Sequence, residues 1–207
     1  MNRFVTASAV FVTGLAAATP AFAHHVMDGK MPDTLVTGLL SGLGHPIIGL
    51  DHLAFILAAG LLAAPRVRGL LLPIAFVVGS FLGSVLHLTG AELPAGEIVV
   101  AGSVLLLGAL LVLQARINDG LFAAILALAG LFHGYAFGES IFGAEQTPLV
   151  SYLAGLGIIE YALSAGTVIA WRVLSRRHAA LLPPLSRFAG AGIAAVGAVF
   201  LVLNVAG

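Results

Sequence analysis

Apolar residues in this chain neither alternate nor fall into narrow stripes. From residue 36 onward they come in blocks about as long as a bilayer crossing, with polar positions gathered into short links. A helix needs about 20 apolar residues to cross the hydrocarbon core, and six stretches meet that length: 36–63, 69–89, 96–115, 120–139, 148–171 and 188–206. The links run from Pro65 to Arg68, Thr89 to Gly96, Arg116 to Asp119, Glu139 to Pro148 and Arg172 to Arg187. With no long linker, residues 36–207 are expected to form one all-α, polytopic domain of six transmembrane helices.

The segment before these blocks reads differently. Residues 1–23 combine Arg3, a moderate apolar run, Pro20 and the small-residue ending Ala21-Phe22-Ala23, the pattern of a cleaved secretory signal. Cleavage there leaves an arm, residues 24–35, that begins His24-His25. Composition agrees with a membrane protein: 60% of the 207 residues are hydrophobic and 9% charged, with a mean hydropathy of +1.10. Nine basic residues balance nine acidic ones, which gives no sign of a nucleic-acid partner, and the absence of cysteine excludes disulfides, thiolate metal sites and thiol nucleophiles.

The placement of charge sets an orientation. Arg66, Arg68, Arg116, Arg172, Arg176, Arg177 and Arg187 all fall in the first, third and fifth links, whereas the opposite side carries only Lys30. By the positive-inside rule those links are cytoplasmic and both mature termini face outward, which points to the bacterial inner membrane with a periplasmic N-terminus. The outward face carries Asp28, Asp33, Glu92, Glu97, Glu139 and Glu145, a field that attracts cations; exclusion of arginine from that side accounts for part of the same bias.

Small residues recur at spacings of four, as in Gly79 and Gly83, or Gly130, Gly134 and Gly138. Such stripes let helix backbones approach closely. They place His87 and His133 near helix contacts instead of facing lipid.

Ionisable groups at membrane depth cost about 2.5–3.5 kcal/mol each on insertion scales, and this chain has several. The segment HPIIGLDH, residues 45–52, holds His45, Asp51 and His52. On an unbroken helix, positions seven apart share a face but stand about 10 Å apart along the axis. Pro46 disfavours helical geometry at His45, so a break near His45 is expected to gather all three around one cavity; a straight helix with two successive ion stops is the alternative. Two imidazoles and a carboxylate suit nickel, cobalt, zinc or copper better than magnesium or calcium. A purely structural pairing of Asp51 with a histidinium would use the same residues.

Three further features extend this reading. LFHGYAFGESIFGAE, residues 131–145, sets His133 and Glu139 in the outer part of the fourth span, where they could continue a polar path from the surface. Glu160, in the fifth span, completes the site, carries a proton, or bonds a neighbouring Ser or Tyr. The arm HHVMDGKMP offers His24, His25, Met27, Asp28 and Met31 as a metal-capture segment, whose methionines would suit copper.

HPIIGLDH resembles the first-span signature His-Pro-x-x-Gly-x-Asp-His of the HupE/UreJ family of nickel and cobalt permeases. FHGYAFGE is similar to that family's second motif, in which His-Gly is followed by Gly-x-Glu. The resemblance covers essentially the whole chain, and it implies a secondary permease with a metal-path role for His45, Asp51, His52, His133 and Glu139. Many members carry extra histidines where this chain has Tyr135 and Phe137. The implied cargo is Ni2+ or Co2+, with no prosthetic group; the implied partners are the metal ion, the lipid bilayer, and a second copy of the chain or metalloenzyme-maturation proteins.

Not an enzyme is the leading expectation. The rival readings are copper transport, an intramembrane metallohydrolase using the same cluster to activate water, and a metal-sensing accessory subunit that binds without transporting. No His-Glu-x-x-His pattern supports the hydrolase.

Overall fold

The computed structural model describes residues 31–206, which are helical with no strand among them. The expected signal and most of the arm, including His24 and His25, lie outside the described residues. Seven α-helices follow in order: α1 Leu35–Ile48, α2 Leu50–Ala63, α3 Pro73–Leu88, α4 Gly96–Leu113, α5 Asp119–Glu139, α6 Gln146–His178 and α7 Leu182–Ala206. A single 3-10 turn, Ala179–Leu181, joins the last two.

Local chemistry explains most boundaries. Thr34 caps α1 through a reciprocal box with Thr37, each side chain serving the other's backbone N–H. Pro73 opens α3 at a position where its missing N–H costs nothing, so that helix starts four residues later than the apolar block suggests. Asn118 caps α5 by accepting from the Leu121 amide at 2.8 Å. The expected link from Arg172 to Arg187 is instead mostly helical. Arg176, Arg177 and His178 stay in the last turn of α6, where cations suit the helix C-terminus, and Pro183 and Pro184 fall in the first turn of α7, where they are tolerated.

The first apolar block is two helices. They meet at 79°, and the break is at Gly49, three residues beyond Pro46, which itself stays within α1. Gly49 is extended (φ −71°, ψ 104°); its N–H still closes the last turn of α1 on the His45 carbonyl and its carbonyl accepts from Leu53. Proline removes one bond from the final turn of α1 without ending it. A helix ends only where ψ leaves the helical range, and that happens at the glycine.

By length and composition, Gly96–Leu113, Asp119–Glu139 and the helical stretch Gln146–Ala206 are candidate membrane spans, and the bent pair α1–α2 makes a fourth. The 16-residue α3 is apolar but shorter. Large apolar side chains such as Phe81, Leu82, Ile158 and Phe188 are exposed on the outside, a surface suited to lipid and unlike that of a soluble monomer.

Three close helix pairs build the bundle: α3 with α5, α4 with α7, and α1 with α6. Each is closed by small residues against backbone. A Cβ added at Gly79 or Gly83 would strike the Ala127 or Leu131 carbonyl, and one at Gly130 or Gly134 the Phe76 or Ser80 carbonyl, so the spaced glycines are where α3 and α5 touch main chain to main chain. Gly42 does the same against Tyr152 on α6. The central element is α2, which buries Ala54, Phe55, Ile56, Ala58, Ala59, Leu62 and Ala63 and packs on α4, α6 and α7.

Candidate metal centre

Where α1 breaks into α2, three histidines from three elements are buried together. His45 ends α1, His52 opens α2 and His133 lies two-thirds along α5; their exposures are 1%, 1% and 0%. The His45 and His52 ring centres are 6.2 Å apart and nearly perpendicular. His52 Nδ1 and His133 Nδ1 are 2.8 Å apart. Phe137 packs on both His45 and His52, and Phe55 and Phe76 on His133. An aromatic wall of this kind keeps the rings from water and fixes their planes.

Two hydroxyls outside the predicted set assign the tautomers. Tyr152 Oη donates to the Phe137 carbonyl at 2.9 Å, so the 3.0 Å bond to His45 Nδ1 is donated by the imidazole N–H. Ser103 Oγ likewise donates to the Val100 carbonyl at 2.7 Å and receives His133 Nε2–H at 3.0 Å. With neutral rings, His133 Nδ1 then carries a lone pair and His52 Nδ1 must donate to it. The lone pairs of His45 and His52 are thereby both placed on Nε2.

Asp51, 2% exposed, occupies the first turn of α2. Gly49, the residue before that turn, has no side chain to cap it, and Asp51 Oδ1 accepts from the His52 amide at 2.9 Å in its place. A carboxylate also complements the positive end of the helix. The break therefore brings His45 and His52 together as expected, but part of Asp51 is engaged in holding the start of α2. Among the described residues, no group of three or more His, Asp or Glu side chains is arranged to hold a metal ion, so the single three-ligand cavity read from HPIIGLDH is not formed as it stands.

The remaining predicted residues lie apart. His87 is half-buried in the last turn of α3, its ring against Tyr135 and Phe142 and its Nδ1 without a hydrogen-bond partner. Glu139 is exposed at the end of α5. Glu160 is wholly buried and accepts a 2.6 Å bond from Ser80. Between the histidines and the arginine-bearing ends lies an apolar plug that includes Phe55, Phe76, Phe122 and Leu126; a second apolar cluster joins Phe137, Ile141, Tyr152 and Leu156, of which Phe137 and Tyr152 touch the His45 ring.

Tyr152 and Ser103 were not singled out from the sequence. A tyrosine inside an otherwise apolar helix is a usable signal, since its hydroxyl needs a partner when buried. A lone membrane serine is too common to be one.

Known proteins bear on this geometry. A family model described as HupE / UreJ protein matches residues 11–200. Protein HupE of Rhizobium leguminosarum bv. viciae is 31% identical over 201 residues, which cover 94% of this chain and 98% of that protein. No solved structure matches the chain.

Proposed function

The chain belongs to the HupE/UreJ family, and from that premise we propose that it is a secondary permease carrying a divalent transition metal ion, nickel or cobalt, from periplasm to cytoplasm across the bacterial inner membrane. The observation that carries this reading is the buried pair His45 and His52 at the helix break, each with its partner group on Nδ1 and its lone pair on Nε2. Two rings that share one ion through nitrogens at about 2.1 Å reach a centre-to-centre separation of roughly 6.5 Å at most. The observed 6.2 Å falls within that span.

An incomplete ligand set suits transport. A site that conducts must bind strongly enough to strip part of the hydration shell and weakly enough to let go. Two imidazoles, with Asp51 nearby as a full negative charge and water filling the remaining positions, meet that demand. His133 orients His52, and the aromatic layers on either side hold the cluster closed until helices shift.

In this reading the polypeptide crosses the membrane six times: once as the bent pair α1–α2 and once each as α3 to α7. The 61-residue stretch Gln146–Ala206 would be about 90 Å long at 1.5 Å per residue, three times the thickness of a bilayer core. Division at the 3-10 turn gives two crossings with arginines at the cytoplasmic end of both. The cleaved signal delivers the arm to the periplasm, where His24 and His25, followed by His87 and Glu139, pass the ion inward. Moving each elementary charge down 100 mV yields about 2.3 kcal/mol, enough to drive accumulation.

Uptake of radioactive nickel and cobalt in cells lacking their own permeases tests the proposal. Wild-type protein restores uptake, and His52→Ala and Asp51→Asn lose most of it at equal membrane abundance. Full uptake by both variants would overturn the assignment.

A further inference from the structure

The fold buries one more ionisable group that this path does not use. Glu160 lies in α6, eight residues beyond Tyr152, about 12 Å at 1.5 Å per residue, toward the arginine-bearing end. Its side chain is 0% exposed. Oε1 accepts from Ser80 Oγ at 2.6 Å, and Oε2, also out of reach of water, has no hydrogen-bond partner. Beside it is a cavity of about 240 Å3 between α3 and α6, lined by apolar side chains including Val77, Phe81, Leu153 and Leu156, with Ser80 and Glu160 as its polar exceptions. Phe81 and its neighbours Val78 and Leu82 on the cavity wall are exposed on the apolar outer surface, so the cavity is approached from the side a bilayer covers.

Among the described residues no cation faces this carboxyl. On α6 itself the nearby titratable groups are Tyr152 and Tyr161, and the first cation is Arg172, twelve residues on. From the packed helices, α1 contributes His45, α2 Asp51 and His52, and α3 His87; the one cation of α7, Arg187, sits near its cytoplasmic start. Among the described residues Glu160 forms no ion pair. An ionised carboxylate would keep one hydroxyl donor and turn its other oxygen to hydrocarbon, which is far more costly than burying the neutral acid. A dication entering the same low-dielectric interior reverses that balance by Coulomb attraction.

We propose that Glu160 is a proton-binding site, loaded on Oε2 when the histidine cluster holds no cargo and emptied when a dication occupies it, so that the incoming charge is partly compensated. The linkage to cargo rests on the transport reading above. Only one bond changes: Oε2–H breaks, the proton passes to water admitted when the helices shift, and the electron pair stays on the carboxylate. When the ion departs, Oε2 takes up a proton from water again. Ser80 acts as a positioning residue, holding Oε1 and leaving Oε2 as the unpartnered oxygen.

A hydrophobic carbodiimide reads this state directly. It partitions into the bilayer and reacts with the protonated acid: the carboxyl proton moves to a carbodiimide nitrogen, the carboxyl oxygen bonds to the central carbon, and the O-acylisourea rearranges to a stable N-acylurea with nothing lost. The full chain in lipid vesicles, treated with dicyclohexylcarbodiimide and mapped by mass spectrometry, is expected to carry the adduct at Glu160. Labelling is lost in the isosteric Glu160→Gln, slowed by nickel chloride in the wild type, and insensitive to nickel in His52→Ala. Absence of the adduct from wild-type protein overturns the proton site whatever uptake shows. An adduct that nickel does not slow, in protein that takes up nickel, overturns the linkage. Labelled protein that takes up no nickel overturns the transport reading and leaves the proton site supported.

Discussion

Tyr152 and His45 meet 3.0 Å apart across the α1–α6 contact, and the tyrosine's only proton goes to the Phe137 carbonyl. The imidazole must therefore donate from Nδ1, and its lone pair is on Nε2. Tyr152→Phe keeps the ring that packs beside His45 but removes both bonds. Loss of such an orienting partner costs about 10–100-fold in metal affinity. The expected result is a rise in KM for nickel uptake of about tenfold or more with unchanged membrane abundance; an unchanged KM would show that His45 is oriented by something else.

Much of the site was legible because buried polar groups stand out against an apolar background. His45, Asp51, His52 and His133 could be picked out as ionisable residues in apolar blocks, and HPIIGLDH carried its own warning of a break. The place of the break was not legible. Pro46 is the stronger signal in sequence, yet the chain turns at Gly49, in an extended conformation open to any residue, where the missing side chain leaves room for the His52 ring. The partnership of His52 with His133 was hidden for a different reason: the two are 81 residues apart in sequence and meet only through the tertiary fold. Charge does not mark a loop at Arg172 to Arg187, since arginines at a helix C-terminus are stabilising and the helices run through them.

Arg66 ties the end of α2 to the start of α5. It bonds the Leu62 and Ile117 carbonyls, pairs with Asp119 at 2.6 Å and lies over the Phe122 ring. Asp119 is 43% exposed, so the ion pair itself is screened and contributes about 1 kcal/mol or less. Asp119→Asn should lower the melting temperature of the purified protein slightly, and Arg66→Ala by more, because it also strips two carbonyls of their donor. The double variant should melt close to Arg66→Ala alone, as coupled partners do not add; strictly additive losses would show that the pair is not coupled.

Membrane topology can be tested cleanly because the chain has no native cysteine. Val67 is 98% exposed in the link after α2, Ala91 is exposed between α3 and α4, and Ala180 is exposed in the turn between α6 and α7. In six crossings, a membrane-impermeant maleimide added to intact spheroplasts labels Ala91→Cys and spares Val67→Cys and Ala180→Cys until the membrane is opened. Labelling of Ala180→Cys from outside would rule out the division of Gln146–Ala206 into a pair of crossings with a cytoplasmic turn.

Gly49 gives the sharpest separation of site geometry from fold. Its φ of −71° is open to any residue, so alanine brings no backbone strain there. What alanine brings is a Cβ 2.7 Å from His52 Cδ2, closer than real contacts allow, and the imidazole must move. Displacing it stretches the 2.8 Å bond to His133 and changes the separation from His45. Gly49→Ala is therefore expected to reach the membrane in normal amounts and to show impaired nickel uptake, while Gly102→Ala, whose added Cβ meets nothing within 4 Å, transports normally. Equal uptake by the two variants would mean that the His52 ring has no fixed position to lose, and the tautomer assignment that places the lone pairs of His45 and His52 on Nε2 would fall with it.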